Sequence, residues 1–66
     1  MLEKHSISLS GHRTSIALET EFWAVLREIA GREGLALAAL IARVDGERGP
    51  EQPLASALRV FALRTR

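Results

Sequence analysis

"GHRTSIALETEFW", residues 11–23, contains the change of period on which the fold turns. Through Arg13-Thr14-Ser15-Ile16-Ala17-Leu18 the side chains alternate: Thr14, Ile16 and Leu18 fall on one face, Arg13, Ser15 and Ala17 on the other. From Phe22 onward the apolar spacing becomes helical, placing Phe22, Val25, Leu26, Ile29 and Ala30 on one side. A strand running directly into a helix is predicted. A lone strand leaves its backbone N–H and C=O groups without partners. It is the only convincing strand in the chain, so the partner is expected to be a second copy, joined across a two-fold axis as an antiparallel ribbon. Thr14, Ile16 and Leu18 would then cover a dimer core shared with Phe22, Leu26, Leu40, Ile41 and Val44.

Working outward, residues 1–12 read as an N-terminal arm, mobile or extended, although Ile7 and Leu9 alternating with serines leave a short extra strand open. Glu19 and Glu21 suit the positive end of the first helix and Gly34 its end. Leu37, Leu40, Ile41 and Val44 mark a second helix, closing a core over residues 13–48. "DGERGPEQP" supplies a loop, and "LASALRVFALRTR" a third amphipathic helix packed on that core, within residues 49–66. We read the chain as free of internal repeats and low-complexity tracts.

Sixty-six residues, 47% hydrophobic and with a formal net charge of +1, describe one small domain with a single core. With no cysteine there is no disulfide to reinforce it, which again favours oligomerisation. No apolar run approaches the roughly 20 residues that span a bilayer, so no membrane association and a cytoplasmic location are expected. His5 and His12 match no zinc spacing, and no nucleophile, base and orienting group recur at motif spacing. Neither a cofactor, a metal nor an enzymatic activity is therefore expected.

The order strand, helix, short turn, helix, carried by "RTSIAL", "ETEFWAVLREIAGREG" and "LAALIARV", resembles the ribbon-helix-helix family of DNA-binding proteins. "GHRTS", "LETEFW" and "ALRVFALR" are further similar to a subgroup of short bacterial members. The resemblance implies a mainly α fold with one β-strand, an intertwined homodimer with an intermolecular ribbon, and an extra C-terminal helix. It also implies a transcriptional repressor whose ribbon enters the major groove of double-stranded DNA at a pseudo-palindromic site.

On that docking mode Arg13, Ser15 and Ala17 would read bases. Arginine can fork onto a guanine edge, serine can donate or accept, and alanine can touch a thymine methyl. The amino end of the second helix, Ala36, Leu37 and Ala38, would hold phosphate through backbone N–H groups without a hydroxyl cap. Lys4 and His12 would add contacts from the arm. Residues 1–19 carry Lys4 and Arg13 against Glu3 and Glu19, so no basic stripe is evident there. A second reading keeps the dimer as a protein-interaction or antitoxin-like module, in which Leu54, Leu58 and Phe61 of the C-terminal helix anchor a partner.

Overall fold

A computed structural model describes residues 1–66. Two strands precede three helices: β1 Leu2–Leu9, β2 His12–Glu19, α1 Thr20–Glu33, α2 Leu37–Glu47 and α3 Leu54–Thr65. β1 and β2 pair antiparallel, from Leu2 opposite Glu19 to Leu9 opposite His12. The expected arm is thus a strand, and the ribbon expected from two chains closes within one.

Ser10 and Gly11 form the connection. Both adopt positive φ, 50° and 80°, as a two-residue type I′ turn requires to match the twist of the strands it joins. Glycine accepts that conformation freely. Serine takes it at some cost, which the eight-residue ladder on either side offsets.

The register decides which side chains share a face. Glu3, His5, Ile7 and Leu9 lie with His12, Thr14, Ile16 and Leu18 toward the helices. Leu2, Lys4, Ser6 and Ser8 lie with Arg13, Ser15, Ala17 and Glu19 on the outer face. Burial follows the same division: Ile7, Ile16 and Leu18 are buried, whereas six of the eight outer residues are exposed and Ala17 and Glu19 are half-buried.

Under the ribbon the core comprises Trp23, Leu26, Ile29 and Ala30 of α1, Leu40, Ile41 and Val44 of α2, and Ala57, Leu58 and Ala62 of α3. Six of the eight residues expected in a dimer core are buried here, but they are buried within one chain; Thr14 and Phe22 are half-buried. Trp23, beside Phe22, is the aromatic that is fully enclosed. Its Nε1–H donates to the Glu3 carbonyl oxygen at 2.7 Å, fastening β1 to α1. The chain's accessible surface is 4306 Å², close to the roughly 4,100 Å² that area scaling gives for a folded monomer of this mass. A third helix and a second strand supply apolar cover for the core within the chain.

Each connection has a local cause. α1 ends at Gly34 with φ 67°, where the Leu35 N–H reaches the Ala30 carbonyl at 2.9 Å and the Gly34 N–H that of Gly31 at 3.3 Å, a Schellman closure. Leu35 then packs against the core and directs the chain into α2. Arg48 holds the next loop by donating to Asp45 Oδ1 at 2.8 Å and to the Gln52 carbonyl at 2.7 Å. Leu54, Leu58 and Phe61, considered above as anchors for a partner, are instead engaged with the chain's own core.

Candidate nucleic-acid interface

Apart from Leu2 and Glu19, the outer face of the hairpin brings three side chains of β1 together with three of β2. Across the ladder Ser8 faces Arg13, Ser6 faces Ser15 and Lys4 faces Ala17. Arg13 and Ser15 stand where the sequence predicts, exposed and outward; Ala17 is outward and half-buried. Lys4 joins them as a strand residue, not from a loose arm. His12 does not: it occupies the inward register beside the turn, exposed where the hairpin overhangs the helices.

The placement of charge could not be obtained by summing the sequence. Lys4 and Arg13 balance Glu3 and Glu19 in number, yet neither carboxylate pairs with either cation. Glu3 is in the inward register, where it accepts from His5 Nε2 at 3.0 Å and lies 3.9 Å from the Arg27 guanidinium. The His5 ring in turn rests on Trp23, with centroids 4.2 Å apart. Glu19, at the end of β2, accepts from Arg59 Nε at 2.9 Å and Nη2 at 3.4 Å. The fork of Arg59, which also lies 5.9 Å over the Phe22 ring, holds the Glu19 carboxyl below its usual range; its own backbone N–H adds to that, and desolvation opposes it weakly. Lys4 and Arg13 enter no ion pair. Two cations without ion pairs, three hydroxyls and one methyl therefore make up most of this face, with Leu2 and the Arg59-bound Glu19 opposite one another at its end.

Such a face is suited to polyanion binding and to base contact at once. A two-stranded ribbon fits the major groove, which is about 12 Å wide. Cations bind phosphate or fork onto guanine, hydroxyls serve as donor or acceptor, and a small apolar group meets a thymine methyl. Arg13 Nη1 donates to Ser6 Oγ at 3.4 Å, a long exposed bond that biases the guanidinium toward the ribbon's centre.

The second predicted element is also exposed. Ala36 is the N-cap of α2, with extended backbone, no side-chain cap bond and no acidic residue in the first turn that follows. Ala36 and Ala38 are exposed and Leu37 is half-buried. The free N–H groups of this turn present a partial positive charge to solvent. Arg59 is committed to Glu19. Arg64 and Arg66 remain exposed at the end of α3.

No three His, Asp or Glu side chains are grouped so as to hold a metal ion. No helix is long and apolar enough to cross a membrane. The largest depression is an open groove of about 410 Å³ between α2 and α3, with Val44, Ala57 and Phe61 at its apolar side.

An antiparallel ribbon leading into two consecutive helices, with a polar and cationic outer face, defines a ribbon-helix-helix architecture extended by a third helix. The family model for the ribbon-helix-helix domain matches residues 2–65, and the chain belongs to that family. Its members are in general DNA-binding transcription regulators. No curated protein and no solved structure matches the chain.

Proposed function

We propose that this protein is a sequence-specific DNA-binding regulator, of the repressor type, that inserts its hairpin into the major groove. Arg13 and Ser15 contact base edges, and Ala17 makes a lesser contact with a thymine methyl. The free N–H groups at Ala36, Leu37 and Ala38 hold a phosphate beside the groove. The observation that carries this reading is the pairing of charge: Glu3 lies in the inward register against His5 and Glu19 is held by Arg59, leaving Lys4 and Arg13 without ion pairs on the ribbon's outer face. Family membership supports it, since ribbon-helix-helix domains typically act on DNA. The partner-binding alternative loses its anchors, because Leu58 is fully buried and Leu54 and Phe61 pack on the same core.

The test is recovery of bound fragments from sheared genomic DNA with wild-type protein beside Arg13→Ala, at several salt concentrations. A shared motif enriched by wild type and lost by Arg13→Ala supports the proposal. Equal recovery by both proteins, or none by either at low salt, refutes it.

A further inference from the structure

The groove of about 410 Å³ between α2 and α3 has no part in the DNA-reading role. Its size lies within the roughly 300–1,000 Å³ of small-molecule sites. One wall comes from the last turn of α2, where Val44 and Glu47, three residues apart, share a face. The other comes from α3, where Val60 and Phe61 precede Arg64 by four and three residues. Each helix thus lays apolar and charged side chains along the same groove. Val44 is 5% exposed, Phe61 is half-buried and Val60 is 37% exposed, so the apolar floor rises from the core to solvent.

The charges on the two walls are opposite, and each is without a partner. Glu47 and Arg64 are both exposed, and neither enters an ion pair. Arg48, at the end of the groove, is already engaged: it donates through Nε to Asp45 Oδ1 at 2.8 Å and through Nη1 to the Gln52 carbonyl at 2.7 Å. What the groove offers a ligand is therefore one free anion, one free cation and an apolar floor.

From this we infer that the groove is a binding site for a small zwitterion with an apolar side chain, of the class of the hydrophobic α-amino acids. Arg64 takes the carboxylate, Glu47 takes the ammonium group, and the side chain lies on Val44, Val60 and Phe61. Both polar contacts are charge-assisted hydrogen bonds, the stronger kind. The pair of charges also selects against simpler ligands: a carboxylate without an ammonium group meets repulsion from Glu47, and an amine without a carboxylate meets it from Arg64. The site is separate from the proposed phosphate contact. Glu47 ends α2, eleven residues beyond Ala36 at its amino end, which is about 16 Å along the helix. Amino-acid binding and DNA reading can therefore be tested independently, and one can fail without the other.

The experiment is an amide chemical-shift titration of the isotope-labelled full chain with L-phenylalanine and L-leucine. Three analogues accompany them: phenethylamine, which lacks the carboxylate; N-acetyl-L-phenylalanine, which lacks the ammonium charge; and glycine, which lacks the side chain. Wild type is compared with Arg64→Gln and Glu47→Gln. Both substituted side chains are exposed, and a far-ultraviolet spectrum checks that each variant is folded. For wild type the expected result is a saturable change centred on Val44, Glu47, Val60, Phe61 and Arg64, with each analogue binding at least about tenfold more weakly than the better amino acid. Arg64→Gln is expected to lose the preference for phenylalanine over phenethylamine, and Glu47→Gln the preference over the N-acetyl form. If neither amino acid gives a saturable change at the groove at millimolar concentration, the inference is overturned. The same holds if phenethylamine and N-acetyl-L-phenylalanine bind wild type as tightly as phenylalanine, or if both variants keep wild-type affinity.

Discussion

Replacing Ile7 by alanine asks whether β1 is part of the fold or a segment lying on it. The isoleucine is 9% exposed and belongs to the same cluster as Ile16, Trp23 and Leu40. The substitution removes three carbons from this site. At about 0.8 kcal/mol per buried carbon, reduced slightly for the residual exposure, the loss is about 2 kcal/mol, at the low end of the roughly 2–5 kcal/mol seen for such truncations. For a domain of this size that corresponds to a fall in Tm of about 10 °C. With a urea dependence of about 1 kcal/mol per molar, the midpoint moves down by about 2 M. Trp23 is the only tryptophan and is fully buried, so its fluorescence reports the transition directly. Ile16→Ala, at the equivalent place in β2, is expected to cost at least as much. Leu2→Ala, at a site 57% exposed, is expected to change stability by less than about 0.5 kcal/mol. A loss below about 0.5 kcal/mol for Ile7→Ala would refute the intrachain hairpin as the cover of the core.

Three further outcomes follow from local geometry. Gly11→Ala meets open space but must hold φ 80°, so it is expected to destabilise by about 1 kcal/mol, while Ser10→Asn stabilises by a few tenths because asparagine tolerates the same turn; urea titration separates the two. Ala36→Ser and Ala36→Asp both supply the missing cap of α2 and are expected to add about 1 kcal/mol, but only the aspartate, placing a negative charge against the phosphate site, weakens DNA binding in fluorescence anisotropy. The Glu19 carboxyl is depressed by Arg59, so its contribution is present above the ordinary glutamate range and is lost as pH falls through the lowered value. Wild type is therefore expected to exceed Glu19→Gln in stability near neutral pH, and the gap to close as the solution is acidified below that range. A gap that persists or widens in acid contradicts the assignment.

The helices are legible because their apolar spacing is uninterrupted: Leu26, Ile29, Leu40, Ile41, Val44 and Leu58 all reach the core predicted from period alone, and Gly34 ends α1 as its position suggests. β2 is legible for the same reason. β1 is obscured by the residues at its inward positions. His5 is accommodated there by resting on Trp23, and Glu3 by accepting from His5 while its carbonyl takes the Trp23 N–H. These polar side chains break the apolar alternation, although the structure satisfies them through partners twenty residues away. A local signal existed nonetheless, in the Ser10-Gly11 pair between two alternating runs and in the repeated Ser-Ile-X-Leu that follows a cation in each. With β1 read as an arm, β2 has no partner within the chain, and a second chain is expected to supply one. Arg13, Ser15 and Ala17 follow from alternation alone, whereas Lys4, Ser6 and Ser8 require the register. The pairing of Glu19 is less legible still: Arg59 lies forty residues from it, and no reading of neighbouring residues joins them.

The most direct measurement is an amide chemical-shift titration of isotope-labelled protein with a duplex recovered from the genomic enrichment. The largest changes are expected at Lys4, Ser6, Ser8, Arg13, Ser15 and Ala17, with a second group at Leu37 and Ala38 where α2 meets phosphate. Changes centred on α3, with the hairpin's outer face undisturbed, would contradict the ribbon as the surface that reads DNA.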